Sequence, residues 1–272
     1  MCKKIFKFDP SSPPDFKNAK NAMKEFEILY KINHPCICKS LFINMQEVIK
    51  DANVDEENQE VTTVAIFLEF LEFDLKKLIK SGLNNTLKTR IVVDIVHAMR
   101  FLHKKGMIHR DLKAENIALN SVFEAKLIDF GLVRIHECLS KDYSFVSETM
   151  SRGVGTFFYM SPEMINEEKY DYKTDVYSFG VLLHFIFLGD VPKQSTKDKL
   201  SGTPISLPGP SSSISSFCIQ LIKKCMQFKP EDRPSFDEIL KELRENGFSL
   251  APYIDKSVIY RRDKELELFE NE

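Results

Sequence analysis

The stretch KTDVYSFGVLLHFIFLG, residues 173–189, is apolar on nearly every side of a helical projection. A helix with one apolar stripe can lie on a surface, but one that is apolar all round has to be enclosed by other elements. The chain therefore needs a lobe of several helices, and the sequence supplies them. TLKTRIVVDIVHAMRFLHKK, residues 86–105, places Ile91, Ile95, Ala98, Met99 and Leu102 on one face, with Gly106 as its stop. ISSFCIQLIKKCMQ and SFDEILKELREN follow, the second starting at Pro234 and Ser235.

The first seventy residues read differently. CKKIFKF alternates as a strand does, a Pro/Ser loop follows, and FKNAKNAMKEFEILYKI carries Ala22, Phe26, Leu29 and Ile32 at helical spacing. ICKSLFINM and VTTVAIFLEFL read as strands on either side of an acidic solvated loop, KDANVDEENQE. The fold class is thus α+β, a small mostly β lobe joined to a large mostly α lobe through a hinge in EFLEFD. Clefts between such lobes commonly bind small ligands.

Composition narrows the function classes. A net charge of −2 gives no mark of nucleic-acid or membrane-surface binding, and no apolar run reaches the length that crosses a bilayer. The opening MCKKIFKFDP lacks the apolar core of a secretory signal. The six cysteines show no paired CxxC or nearby histidine spacing for zinc, so they read as reduced thiols of a cytoplasmic protein.

Between helix 86–105 and the strand pair NIALN and AKLID lies the charged run HRDLKAEN, residues 109–116. A solvated loop explains its charge but not its order. Two antiparallel strands joined by a short turn bring their outer ends together. Asp111 on the loop, Asn116 entering the first strand and Asp129 leaving the second therefore converge at the cleft. Asn and Asp oxygens are hard ligands suited to Mg²⁺ with phosphate oxygens, and a further carboxylate can accept a hydroxyl proton.

The ordered series HRDLKAEN, IDFG, GTFFYMSPE, DVYSFG and PEDRP resembles the protein kinase family over nearly the whole chain. The resemblance implies a bilobal kinase-like domain over residues 1–250, with a small lobe at 1–70, a hinge at 69–73, a helical lobe at 74–250, and a charged tail or linker at 251–272. It implies ATP and Mg²⁺ as cofactors, a protein substrate, and neither nucleic acid nor membrane as partner. Asp111 would accept the substrate hydroxyl proton and Lys113 would offset charge on the moving phosphoryl group. Asn116 and Asp129 would hold the metal. Glu69 and Leu71 would offer backbone groups to adenine, Leu68 would guard the pocket behind it, and Cys2 and Ala118 join the ATP-binding set. Lys4 would grip the phosphates and Glu25 would pair with it. The competing readings are a surface Lys4 and a Lys3–Glu27 pair. Glu163 matches the family's partner for Arg233. Lys113 and GTFFYMSPE are similar to the serine/threonine class, and DVYSFGVLL with CMQFKPEDRPSFDEIL resembles the tyrosine-kinase-like branch. His109 also reads as a packed histidine, and Asp175 as a simple helix cap.

The family's glycine-rich loop over the phosphates has no counterpart here: three residues precede Lys4, and the first glycine is Gly82. Gly153 and Gly155 lie instead beside the expected substrate site. An N-terminally truncated kinase domain is the expectation, with a non-catalytic scaffold and a small-molecule kinase as alternatives. In LVRIHECLSKDYSFVSETMSRGVGTFFYM, the expected activation loop, phosphorylation of Thr149 or Ser151 would pair with Arg110. Ser144 and Ser147 are further hydroxyls there, and Thr156 reads as a fixed packing residue. Each lost N–H contact to a charged phosphate costs about 1.5–3 kcal/mol. Two or three such losses predict Mg-ATP binding weakened by roughly 10²–10⁵-fold. Calorimetric titration of this chain checks it, and a micromolar dissociation constant contradicts it.

Overall fold

A computed structural model of the chain describes residues 1–8, 13–46, 62–135, 156–210 and 214–248. The small lobe runs β1 (Cys2–Phe8), α1 (Pro13–Lys31), β2 (Ser40–Gln46) and β3 (Thr62–Leu68). A short β4 (Phe73–Asp74) leads into α2 (Leu75–Lys80) and α3 (Asn85–Lys104), then β5 (Met107–Ile108), β6 (Ile117–Leu119), β7 (Ala125–Leu127) and β8 (Arg134–Ile135). The helical lobe continues with α4 (Pro162–Ile165), α5 (Lys173–Leu188), α6 (Thr196–Leu200), α7 (Ser216–Cys225) and α8 (Phe236–Glu245). The architecture is the expected bilobal α+β arrangement. No helix of the described residues is long and apolar enough to cross a membrane.

In the small lobe β3 is central in an antiparallel sheet of order β1-β3-β2. The register Lys4↔Ile66 puts Lys4 and the fully buried Ile66 side by side, facing α1. α1 packs Ala22, Ile28 and Leu29 inward, with Ile32 buried just past its end, and Glu25 lies in that same stripe, 2% exposed. The sequence reading began the second strand at Ile37; the structure begins it at Ser40. The reason is a competing partner. Ile37 pairs with Leu127 in an isolated parallel bridge, with Cys38 N–H donating to Leu127 O at 2.8 Å and Leu127 N–H to Cys36 O at 3.0 Å. The chain before β2 is thereby stitched to the large lobe.

α5 behaves as its composition requires: every residue from Thr174 to Phe187 is buried. It ends at Gly189, whose φ of 87° supplies a left-handed cap. A Cβ on Gly180 would lie 2.6 Å from Met226 Cγ and 2.9 Å from Cys225 Cβ, so only glycine lets α7 approach this closely. The five α3 positions assigned to one face are all buried, and so are Val92, Val93 and Val96, because β7, α5 and α8 surround the helix. α8 starts with a capping box between Ser235 and Glu238, as Pro234–Ser235 implied.

One buried ion pair locks the helical lobe. Arg233, 1% exposed, donates to both Glu163 carboxylate oxygens at 2.6 and 2.9 Å. Its remaining N–H groups reach Gln227 O at 2.7 Å, Phe228 O at 2.8 Å and Lys173 O at 3.1 Å. All five guanidinium donors are used, and the group lies 5.1 Å from the Tyr177 ring centroid. Removing one member strands a buried charge, whereas removing both does not. Arg233→Met is expected to lower the unfolding free energy by about 3–5 kcal/mol in urea titrations, and the double variant Glu163→Leu/Arg233→Met to recover much of that loss.

Candidate active site

The HRDLKAEN loop is held from below by the carboxylate in the first turn of α5. Asp175 is fully buried and accepts the backbone N–H groups of His109 and Arg110, each at 2.8 Å. His103 Nε2 lies 2.9 Å from the same carboxylate. Burial alone would raise the Asp175 pKa, but the His103 contact and these hydrogen bonds outweigh it and hold it below the ordinary value. Arg110 adopts φ 68°, a left-handed conformation uncommon for a side-chain-bearing residue. The Asp175 grip and an Arg110 Nε bond to Leu132 O at 2.6 Å maintain it. Asp175 is therefore an anchor for the loop, with a larger role than the helix cap read from sequence.

On this anchored loop, Lys113 Nζ meets both Asp111 oxygens at 2.9 and 2.7 Å. Asn116 Nδ2 donates to the Asp111 carbonyl and to Oδ2, both at 2.8 Å. Both amide protons thus point at Asp111, and the side-chain oxygen Oδ1 of Asn116 is the atom left for another partner. Strands β6 and β7 pair Ile117 with Leu127, and Ile128 N–H donates to Asn116 O at 3.1 Å, so Asn116 and Asp129 come together at the ends of the ladder. His109 is buried and packs edge-on against Phe130, ring centroids 5.5 Å apart. Its Nδ1 accepts the Asp111 N–H at 3.3 Å, and burial lowers its pKa, so it is a neutral packing residue.

Lys4 reaches across from β1. Its Nζ lies 2.7 and 2.9 Å from the Glu25 oxygens and 3.3 Å from Asp129 Oδ1. Burial acts to lower the Lys4 pKa, yet the attraction of Glu25 and then Asp129 raises it overall. Burial raises the Glu25 pKa, and Lys4 only partly offsets this. For Asp129, which also accepts the Gly131 N–H at 3.1 Å, Lys4 outweighs burial and lowers the pKa. The competing pair does not form: Glu27 bonds Lys31 at 2.5 Å, and Lys3 lies 5.6 Å from the Phe67 ring centroid on the other face of β1.

Residues 69–72 join β3 to β4, and the Glu69 side chain has a partner that spacing did not reveal. Its carboxylate takes Lys126 Nζ at 2.9 and 2.7 Å and the Lys39 N–H at 2.7 Å, while its own N–H donates to Lys39 O at 3.0 Å. Cys2 is opposite Leu68 and Ala118 opposite Asp74, so these two flank the half-buried Leu71 segment. Sequence reasoning also missed Lys76, which bonds Glu115 within the loop at 2.7 Å, and His103. Arg110 Nη1 meets the Tyr170 hydroxyl at 3.1 Å. Ser144, Ser147, Thr149, Ser151, Gly153, Gly155 and the 251–272 tail lie outside the described residues, as does the Thr156 side chain.

The Lys4–Glu25 pair yields a pH-dependent prediction. Without Lys4, the buried Glu25 carboxyl in the folded state titrates above its unfolded value of about 4.3. Folding then favours the protonated form, and that contribution is lost as pH rises. The stability deficit of Lys4→Met relative to wild type is expected to widen between about pH 4 and 7, by at most about 1.4 kcal/mol per unit. Urea melts at several pH values measure it.

The family profile described as "Protein kinase domain" matches residues 2–243. A probable serine/threonine-protein kinase of Dictyostelium discoideum is 31% identical over 235 residues, covering 81% of this chain and 35% of the relative. Receptor-interacting serine/threonine-protein kinase 1 of Homo sapiens is 29% identical over 240 residues, covering 82% and 34%. A probable LIM domain-containing serine/threonine-protein kinase of Dictyostelium discoideum is 32% identical over 231 residues, covering 73% and 23%. The chain thus spans about a third or less of the length of these relatives. With residues 2–243 of its 272 matched, the chain belongs to the protein kinase family.

Proposed function

We propose that this chain is a catalytically competent protein serine/threonine kinase domain that moves the terminal phosphoryl group of ATP to a protein hydroxyl. The observation that carries the reading is Lys4 Nζ, 2.7 Å from Glu25 and 3.3 Å from Asp129. It ties β1, α1 and the end of the β6–β7 ladder to one point. In this reading Lys4 grips the nucleotide phosphates and Glu25 keeps it aimed. The carbonyl of Glu69 and the backbone of Leu71 face adenine, with Cys2 and Ala118 on either side. Lys126 and Lys39 hold Glu69 in place for that task.

The donor set fits a hard cation: the Asn116 carbonyl oxygen, freed by the orientation of its amide, and the Asp129 carboxylate. Mg²⁺ held there would neutralise charge on the phosphate oxygens. Asp111 accepts the proton of the attacking hydroxyl; its carboxylate is fixed by Lys113 and Asn116, and it needs no reorganisation to do so. Lys113 then offsets charge on the moving group. The domain would extend to about residue 250 with 251–272 as a charged tail or linker, in the reducing cytoplasm where the half-buried Cys36 and buried Cys38 thiols, pushed up to about 12 by desolvation, stay protonated.

Incorporation of labelled phosphate from Mg-ATP into a degenerate serine/threonine peptide pool tests this. Asp111→Asn is expected to lower the rate by about 10²–10⁴-fold with the thermal midpoint little changed. Equal signals from wild type and Asp111→Asn would instead identify a kinase fold used only for binding.

A further inference from the structure

Three consecutive carbonyls just before α4 are each claimed by a buried side chain. Lys199 Nζ on α6 donates to Phe158 O at 2.6 Å and to Met160 O at 3.2 Å. Ser178 Oγ on α5 donates to the carbonyl between them, that of Tyr159, at 2.8 Å. Backbone in a loop usually turns its carbonyls to water. Here the turn faces inward, and a cation reaches two of its oxygens.

Lys199 is only 3% exposed, and its partners among the described residues include no carboxylate. The ammonium also lies 5.4 Å from the Tyr177 ring centroid. Burial without an opposing charge pushes its pKa down to about 8. A charge is seldom buried at this cost unless its hydrogen bonds are needed. Packing does not replace them: a cavity of about 250 Å³, lined by Tyr177, Gln194, Gly202 and Phe228, adjoins Lys199. The short helix that carries Lys199 is itself fixed. A Ser195–Asp198 capping box starts it, and Gly202, at φ 71°, follows it so close to Phe228 that a Cβ would lie 3.1 Å from the ring.

The turn has a second contact. The Tyr159 phenol is buried, with its oxygen within reach of the backbone of Ala114, the residue between Lys113 and Glu115 in the anchored loop. A line of contacts therefore runs from Lys199 and Ser178, through the carbonyls of 158–160, to Tyr159 and on to the loop that carries Asp111 and Lys113.

We propose that Lys199, aided by Ser178, is a positioning residue for phosphotransfer: it fixes the turn that holds Tyr159 against Ala114 and so sets the Asp111–Lys113 pair. The kinetic part rests on the phosphotransfer reading above. The structural part does not, because the Ala114 amide reports on it directly.

The experiment compares the wild-type chain, Lys199→Met, Tyr159→Phe and the double variant by two readouts. One is peptide phosphorylation with kcat and KM for ATP separated; the other is amide hydrogen exchange. Each single variant is expected to lower kcat about tenfold with KM for ATP within about twofold of wild type. The double variant is expected to lose little more than either single one, because both act along one line. Exchange at Ala114 is expected to quicken about tenfold in Lys199→Met while α7 is unmoved. If Lys199→Met fails to fold, Ser178→Ala, which releases only the middle carbonyl, is expected to give the same pattern at smaller amplitude. Unchanged kcat and unchanged Ala114 exchange overturn the proposal, and so do fully additive losses in the double variant. A wild-type protein that turns over no ATP and labels no peptide refutes the phosphotransfer reading, and Ala114 exchange alone then decides the role of Lys199.

Discussion

A single carboxylate placed in an otherwise apolar helix organises the large lobe. Asp175 has no exposed surface, and an ionised group there is tolerated only because each of its oxygens is engaged. Two backbone N–H groups and an imidazole do this, and two of those three donors belong to the loop that carries Asp111 and Lys113. The dependence runs both ways. The loop needs Asp175 because Arg110 sits at positive φ, where the backbone stays only if its surroundings over-determine it. The helix needs the loop because no water reaches its carboxylate. The backbone of this loop is therefore the other half of a buried polar contact, and its place in the fold follows from the place of Asp175 on α5.

This explains which parts of the structure were legible beforehand. An all-round apolar helix, a helical stripe and an alternating strand are periodic, and periodicity survives in a linear chain; α5, α3 and β1 were found on that basis. Lys4 and Glu25 were singled out by their likeness to the family's strand lysine and helix glutamate, and the structure brings the two side chains to 2.7 Å, with Lys4 opposite Ile66. Contacts from side chain to backbone leave no such trace. Lys199 on two carbonyls, Ser178 on a third and Asp175 on two N–H groups meet atoms that every residue possesses. Asp175 looked like a cap because its distant partners, 65 and 66 residues away, carry no distinguishing side chain for this contact. The early start assigned to β2 has a similar origin: Ile37 has strand character, but its partner is Leu127 in the other lobe, and no local pattern separates those outcomes.

The electrostatics of the cleft follow from the same economy of contacts. Lys4 Nζ pairs with both Glu25 and Asp129, yet the two carboxylates respond differently to its charge. Glu25 is almost wholly enclosed, and burial dominates. Asp129, with its side chain 40% exposed, feels less desolvation relative to Lys4 and the Gly131 N–H, and its pKa falls. An acid kept ionised at the cleft and an acid kept close to its cation in the interior are suited to separate work, the first to meeting an external cation and the second to aiming the lysine.

The five residues from Ala125 to Asp129 show how the lobes are coupled. Ala125 N–H donates to Asp94 on α3, and Lys126 binds Glu69 at the hinge. Leu127 bonds the backbone of Cys36 and Cys38 ahead of β2, Ile128 bonds Asn116, and Asp129 meets Lys4 on β1. Each residue is committed to a different element, and three of the five contacts cross from one lobe to the other or to the connection between them. A rotation of the small lobe about residues 69–72 must therefore keep these contacts as a unit or break them together. The Leu127 pair is backbone to backbone and tolerates little displacement, whereas the Lys4–Asp129 contact ends on a flexible side chain and is the longest of the set at 3.3 Å. Any opening and closing of the cleft would then have a fixed side, at Cys36–Cys38 and β7, and a yielding side at Lys4 and Asp129.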